Sequence, residues 1–299
     1  MLDSFLPHFK ASLAVILTLI CMGLTAAAAP ALAQDSVNPT ADARREPVVP
    51  NFWDPKARAT RPQPGAVGAI RFVTTDDFPP FNFLDAGGRL TGFNVDLARA
   101  ICDKLSVPCT IQARPWSDLV DAVAEGRADA EIGGIAITPL TRGRLSFSDI
   151  YLRVPARFAA RRDVPDLEVS ATGLRNRTVA VLGKSAQEAY LRNFFPNSKI
   201  STFPSVEEAE TALKKGDAEL YFGDALQLSF WLESEAAGDC CAFAGGPYLE
   251  SRYFGLGFAI GVGPQAADLR HALNSALETV YSSGTYAELY LRYFPEGFY

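Results

Sequence analysis

The chain has 299 residues and an acidic charge balance, with 34 Asp and Glu residues against 28 Lys and Arg residues and a formal net charge of −6 at pH 7. Proteins bind phosphate backbones through basic surfaces, so this balance argues against nucleic acid as a partner. The chain contains only two histidines, which leaves few imidazoles for a metal site or for acid–base catalysis. We expect neither a metal nor a cofactor.

The first 33 residues predict a secretory signal peptide. Lys10 is followed by an uncharged run, residues 11–33, that ends in Ala31-Leu32-Ala33. A basic start, an apolar middle and small residues before the cleavage point are typical of such peptides. We predict cleavage after Ala33 and a periplasmic mature protein.

Two other uses of this segment are less favoured. A retained membrane anchor needs a longer solid apolar run than the one that breaks into alanines after Thr25. A lipoprotein acylated at Cys21 is disfavoured by Ile20, which stands where a small residue is expected.

Residues 34–67 are rich in proline and predict an extended leader, whose most apolar piece, Asn51-Phe52-Trp53, is expected to dock on the body of the protein. From Ile70 onward, short β-rich runs alternate with amphipathic helical stretches. The first set comprises strands at 70–75, 110–113 and 130–132, helices at 93–105 and 116–125, and a polar turn at 138–144. The second set comprises strands at 178–182, 200–203 and 219–222 and helices at 186–195, 206–214 and 225–232.

Two such units predict an α/β protein with two mostly parallel sheets, each covered by helices. The β-like runs 156–161 and 253–262 are expected to connect them, before two final helices at 265–281 and 285–293. The first lobe then consists of residues 68–157 and 254–299, and the second of residues 158–253, with hinge strands at its borders. Ligands of open α/β sheets bind beyond the carboxyl ends of the strands, so we expect a cleft between the lobes.

Four cysteines lie outside the predicted signal peptide. In an oxidising compartment, Cys102 and Cys109 can form a bridge between a helix and the following strand. The adjacent pair Cys240-Cys241 stays unassigned. Metal binding by this pair is disfavoured, since thiolate sites usually recruit four ligands and His271 is the one histidine beyond the signal peptide.

A series of short motifs runs in order from Ile70 to Phe294. The motifs include F-P-P-F at 78–81, G-F-N-V-D-L-A at 92–98, I-T-P at 137–139, F-S-D-I-Y at 147–151, A-G-G-P-Y at 244–248 and R-Y-F at 292–294. In this order and spacing the chain resembles the periplasmic binding proteins for polar amino acids, the family that includes the histidine, lysine/arginine/ornithine and glutamine binding proteins.

The resemblance implies a two-lobed type II periplasmic-binding-protein fold with two mostly parallel sheets joined by a two-strand hinge. It also implies a monomeric substrate-binding component of an ABC importer, which captures an amino acid or a similar small zwitterion by hinge closure and delivers it to an inner-membrane permease. The spacing of Cys102 and Cys109 is similar to that of a disulfide in the histidine-binding branch. The same fold serves a periplasmic cyclohexadienyl (prephenate or arogenate) dehydratase and accessory proteins of periplasmic dehydrogenases, so these functions stay as alternatives.

Two charged residues are the predicted anchors for an amino acid. Family members place an arginine just after the I-T-P turn to hold the α-carboxylate; here that position is Thr141, and Arg142 follows it. The competing interpretation of Arg142 is a solvated side chain beside Arg144. Asp224 corresponds to the family's acceptor for the α-ammonium, although an aspartate after a strand is also a common helix N-cap.

The remaining predicted contacts are backbone donors and walls. Backbone N–H groups after Gly133 and Gly134, and at the helix start near Ser185 and Ala186, are expected to help bind the carboxylate. Family members often carry hydroxyl residues at the positions of Gly133, Gly134 and Ala136, so this chain lacks those side-chain donors. Phe78 and Trp116 are the predicted walls, with core packing as the alternative. The family's acid has Thr75 at its position here; the neighbouring Asp76 and Asp77 are the candidate substitutes, of which Asp76 is the predicted contact, with capping of a turn as the alternative.

Overall fold

The computed structural model describes residues 48–52, 67–164, 167–295 and 297–299. The predicted signal peptide and most of the leader, including Trp53, lie outside these residues. Within them, no helix combines the length and the hydropathy needed to cross a bilayer.

The described residues form an α/β body in which the elements follow one another in chain order. The strands are β1 (Ile70–Thr74), β2 (Asp77–Phe78), β3 (Asn82–Leu84), β4 (Leu90–Thr91), β5 (Cys109–Ala113), β6 (Ala130–Glu131), β7 (Ser146–Phe147), β8 (Ala156–Arg161), β9 (Thr178–Leu182), β10 (Lys199–Phe203), β11 (Leu220–Asp224), β12 (Cys241–Tyr248) and β13 (Gly261–Val262). The helices are α1 (Phe93–Leu105), α2 (Trp116–Ala124), α3 (Pro139–Arg142), α4 (Ala186–Phe194), α5 (Val206–Lys215), α6 (Ala225–Leu232), α7 (Ser251–Phe254), α8 (Ala267–Ser282) and α9 (Thr285–Tyr293).

Each of the two main sheets has five strands and the same pattern of directions. The first has the order β5-β1-β6-β13-β7 and the second the order β10-β9-β11-β8-β12. In the first sheet only β13 runs against its neighbours, and in the second only β8 does. The predicted mostly parallel α/β architecture is therefore confirmed. The strand that is reversed in each sheet is the first one that follows a crossing between the sheets.

The two crossing segments meet in an antiparallel bridge between Leu152 and Phe258. After the first crossing, β8 begins at Ala156, two residues before the predicted lobe boundary. The lobe boundaries themselves stay a prediction. The predicted β-like run 253–262 is wrong in its first half, because residues 251–254 form the short helix α7 and Gly255 and Gly257 have φ angles of 78° and 111°. Such left-handed backbone ends an extended strand and suits glycine.

The core of the first sheet is built from helices whose apolar faces follow the helical period. In α1, Phe93, Leu97 and Ile101 are buried at intervals of four residues, and the helix ends at Ser106 with a φ of 55°. Val49 and Phe52 from the leader pack against the same core, so docking of this piece of the leader is confirmed for the residues that the structure describes.

Both pairs of cysteines form disulfides. The predicted Cys102–Cys109 bridge is confirmed, with a Cα–Cα distance of 6.2 Å, and it ties the end of α1 to the start of β5. Cys240 and Cys241, which were unassigned, bond to each other at the start of β12.

Replacing Cys102 and Cys109 together with serine is expected to lower the free energy of unfolding by about 2.5 kcal/mol, because closing a loop of this length removes entropy from the unfolded chain. Chemical denaturation of oxidised wild type and of the double variant measures this difference. The matched control is the double serine variant of Cys240 and Cys241. The disulfide between these adjacent residues closes almost no loop, so its removal should change stability less. An equal loss in both variants would contradict the entropic explanation.

Candidate functional site

Seven of the predicted ligand residues lie at or just beyond the carboxyl ends of four strands. Asp76 and Phe78 follow β1, Gly133 and Gly134 follow β6, Ser185 and Ala186 follow β9, and Asp224 is the last residue of β11. Because β1 and β6 are parallel neighbours, and β9 and β11 likewise, their carboxyl ends share one edge in each sheet. This edge is where open α/β sheets bind ligands.

Asp224 serves as the N-cap of α6. One of its carboxylate oxygens, Oδ1, accepts hydrogen bonds from the backbone N–H groups of Leu226 and Gln227, both at 3.0 Å. Among the described residues, no hydrogen bond or ion pair engages the other oxygen. Burial raises the pKa of Asp224, although the two backbone hydrogen bonds oppose this shift. A partly buried carboxylate with one oxygen left to a partner is suited to accept an ammonium group.

The start of α4 is fixed by a reciprocal set of hydrogen bonds. The Ser185 hydroxyl donates to the carbonyl of Leu182 and accepts from the N–H of Glu188, while the Glu188 carboxylate accepts from the N–H of Lys184. These bonds satisfy the backbone on both sides of Ala186, which is exposed at the first turn. The helix N-terminus is therefore a rigid, positively polarised end, as an anion contact requires.

Gly134 and Phe78 are neighbours. Gly134 has a φ of 87°, and a side chain there would lie 3.6 Å from the rings of both Phe78 and Phe258. The Phe78 ring packs 4.9 Å from the ring of Phe81, between centroids, and keeps 38% of its surface exposed. The Phe78 ring is therefore packed on one side and partly exposed on the other, and its role as a wall stays a prediction.

Part of the backbone near Gly133 is engaged within the protein. The Gly133 N–H donates to the carboxylate of Glu131 at 2.9 Å, so it is not available to a ligand. Ala136 is exposed, and its carbonyl accepts a hydrogen bond from the Thr141 hydroxyl. In this segment, the N–H of Gly134 is the predicted donor that the described hydrogen bonds leave to a ligand.

Arg142 and Arg144 differ in their contacts although they are two residues apart. Arg144 forms an ion pair with Asp121. Among the described residues, no carboxylate pairs with the exposed guanidinium of Arg142, which ends the short helix α3 capped by Thr138. Arg142 is thus the arginine of the two that is available to an anion.

Trp116 and Asp76 are also exposed. Trp116 is the first residue of α2 and has half of its surface exposed, which excludes simple core packing. Asp76 is exposed in the bend between β1 and β2. Thr75, at the position of the family's acid, is buried and accepts a 2.6 Å hydrogen bond from Asn82, so it does not face a ligand.

The described contacts bring together Phe78 with Gly134, but no described hydrogen bond or ring contact joins Arg142 or Trp116 to Asp224. Two residues near the edge were missed. Phe258 lies in a run that was interpreted as a connector, and Glu131 is an acid inside an apolar strand. A charged residue inside an apolar strand is the one signal in the sequence that points to Glu131.

Two mostly parallel sheets joined by two crossings are the architecture of a two-lobed binding protein. The match to the bacterial extracellular solute-binding proteins, family 3, covers residues 70–296, and the chain belongs to this family.

Among curated relatives, the chain is 28% identical to the putative ABC transporter arginine-binding protein 2 of Escherichia coli K12 over 229 residues, which are 77% of this chain and 92% of the relative. It is likewise 28% identical to the lysine/arginine/ornithine-binding periplasmic protein of the same organism, over 75% of this chain and 87% of the relative.

Two solved structures share the fold. Substrate-binding domain 2 of Lactococcus lactis GlnP, in an open conformation, has a TM-score of 0.65 at 19% identity and covers 79% of this chain and 99% of that one. An ancestral cyclohexadienyl dehydratase has a TM-score of 0.63 at 22% identity, with coverage of 76% and 93%.

Proposed function

We propose that this protein is the periplasmic substrate-binding component of an ABC importer, and that it captures an α-amino acid by closing two lobes around it. The observation that carries the proposal is Asp224, a partly buried carboxylate at the sheet edge with one oxygen committed to α6 and the other uncommitted among the described residues. Arg142 and the start of α4 supply the complementary site for the α-carboxylate.

The ligand class follows from these charges and from the relatives. An α-amino acid carries an ammonium and a carboxylate on one carbon, so it needs an acid and a cationic or N–H-rich site that face each other. Two relatives at 28% identity are named for arginine and for lysine, arginine and ornithine, which makes L-arginine the first ligand to test. The exposed walls Phe78 and Trp116 suit the long aliphatic stem of such a side chain.

Export, lobe closure and delivery complete the proposal. Residues 1–33 direct export, the first lobe comprises residues 68–157 and 254–299 and the second residues 158–253, and the closed monomer is what the inner-membrane permease recognises. Ligand contacts that are made only in the closed form shift the conformational equilibrium of the protein toward that form.

A dehydratase is the competing function, since one structural neighbour is an ancestral enzyme of that kind. Glu188, the candidate acid near the edge, argues against it. Its carboxylate binds the N–H of Lys184 and the guanidinium of Arg192, and these bonds lower its pKa. A general acid near neutral pH needs the opposite shift.

A thermal-shift screen of the mature protein against the common amino acids tests the proposal, followed by calorimetry on the best ligands. We expect L-arginine or a related amino acid to raise the melting temperature by several degrees at a concentration far above Kd, since binding adds about 4 kcal/mol at 1,000 times Kd. No shift with any amino acid, or consumption of prephenate by the protein, would overturn the proposal.

A further inference from the structure

Glu131 is a buried acid whose acceptors are all used by the backbone. It is the last residue of β6, and none of its surface is exposed. Its Oε2 accepts from the Gly133 N–H at 2.9 Å, and its Oε1 accepts from the Gly261 N–H at 3.2 Å. A third hydrogen bond comes from the backbone of Ile135. Among the described residues, no Lys, Arg or His forms an ion pair with it.

Two glycines leave room for this arrangement. A Cβ on Gly261 would lie 2.6 Å from Glu131 Oε1, and a Cβ on Gly133 would lie 2.6 Å from Leu119 Cδ1. A side chain at Gly261 would therefore displace the Glu131 carboxylate, whereas one at Gly133 would meet the end of the Leu119 side chain and lie 3.7 Å from Glu131 Oε2. The close fit to the carboxylate is thus a property of Gly261.

The backbone that Glu131 holds leads directly into the ligand edge. Gly134, the next residue after Gly133, lies against the rings of Phe78 and Phe258, and the segment continues to Thr138, which caps the helix that carries Arg142. Gly261 belongs to β13, the strand that follows the second crossing. One carboxylate thus joins the segment 133–135 to the strand that returns from the hinge.

We propose that Glu131 is a positioning residue whose ionised carboxylate holds residues 133–135 in the geometry that receives the ligand, so that capture weakens when this carboxyl is protonated. The part of this proposal that concerns capture rests on the proposed function. Protonation places a hydrogen on one of the two carboxyl oxygens. That oxygen then accepts its backbone hydrogen bond less well than the ionised carboxylate does.

The surroundings of Glu131 favour a response near neutral pH. Burial raises its pKa to about 7, although hydrogen bonds from Gly133, Gly261 and Ile135 oppose the shift. The other side chains nearest to Gly133 and Gly261, the two glycines beside it, are Thr74, Leu119 and Leu145, which do not titrate in this range. The titratable group whose field is coupled to it is Tyr151, and burial raises the pKa of that phenol well above its ordinary value, so it stays neutral.

Stability and affinity should respond to pH in opposite directions. The pKa of Glu131 is higher in the folded state than the ordinary 4.5, so its contribution to stability is complete below about pH 4.5 and is lost as the pH rises through about 7. Its positioning of residues 133–135 strengthens over the same rise. If Glu131 had a purely structural role, the affinity for the ligand would not increase with pH while the free energy of unfolding decreases.

Calorimetry with L-arginine at pH 5.5, 7.0 and 8.5 tests this, with wild type, Glu131→Gln and a matched control. We expect wild-type affinity to fall about tenfold from pH 8.5 to 5.5, the effect of one charge-assisted hydrogen bond, and Glu131→Gln to bind weakly with a shallower slope, to which Asp224 still contributes. The control is Glu210→Gln on α5, another buried acid whose pKa burial raises to about 7. It should keep the wild-type slope.

Amide hydrogen exchange in the ligand-free protein separates positioning from binding. Glu131→Gln should lose protection at the amides of Gly133, Ile135 and Gly261, while Glu210→Gln should not. If Glu131→Gln does not fold, Gly261→Ala displaces the carboxylate without removing its charge and should weaken binding similarly.

The possible failures are distinguishable. Unchanged protection together with an unchanged pH slope in a variant that binds would overturn the role of Glu131 alone. If wild type binds no amino acid at any pH, the proposed function fails and the claim about capture fails with it, while the exchange data still decide whether Glu131 holds the backbone.

Discussion

Replacing Asp224 with alanine is expected to reduce the affinity for L-arginine from about 30-fold to several thousandfold. The variant removes the acceptor for the α-ammonium and leaves that charge unpaired in a closed cleft, and truncating one partner of a buried charged pair costs about 2 to 5 kcal/mol. Calorimetry on wild type and variant measures the change, and circular dichroism checks the fold. Equal affinity in the two proteins would refute the role given to Asp224.

The control for this variant must account for the second task of Asp224, because its Oδ1 caps α6. Ser205→Ala removes the equivalent cap from α5, where the Ser205 hydroxyl accepts from Glu208, and should lower stability by about 1 kcal/mol without affecting binding. Asp224→Asn keeps a capping oxygen but not the charge. We expect Asp224→Asn to bind nearly as poorly as the alanine variant and to be more stable.

Replacing Arg142 with alanine is expected to weaken arginine binding from about tenfold to 150-fold, because a guanidinium that holds an α-carboxylate contributes about 1.5 to 3 kcal/mol. The neighbouring Arg144→Ala is the matched control. It removes the same charge two residues away, but its guanidinium already pairs with Asp121. Titration calorimetry should show binding close to wild type for Arg144→Ala, and the reverse ranking would transfer the anchor to Arg144.

The fold was largely predictable because it follows from local periodicity. The helical spacing of apolar residues predicted α1, and the short β-rich runs predicted the strands of both sheets. The predicted 70–75 strand differs from β1 by one residue. The crossing at 253–262 was not predictable in the same way. Its residues are apolar and β-branched enough to suggest a strand, but Gly255 and Gly257 impose left-handed backbone there.

The site was predictable only where a residue's chemistry is visible without its neighbours. The resemblance supplied Asp224 and Arg142, and the structure assigns each an uncommitted group among the described residues, although whether they bind a ligand stays a prediction. The hydrogen bond made by the Gly133 N–H could not be predicted, because it depends on Glu131 and on the room left by Gly261. Gly261 lies 130 residues after Glu131 in the chain. Contacts of that separation leave no local pattern in a single sequence.

The reversed strand β8 gives the proposed closing motion a simple mechanical property. Asp224 pairs with Ala156, the first residue after the crossing, and the N–H of Ala225 donates to the carbonyl of Pro155 at 2.9 Å. Asp224, the proposed ammonium acceptor, therefore lies beside the hinge, where a given rotation of the lobes produces the smallest displacement. A ligand seated on Asp224 would therefore keep that contact throughout the swing, while residues far from the pivot travel the longest path to meet it.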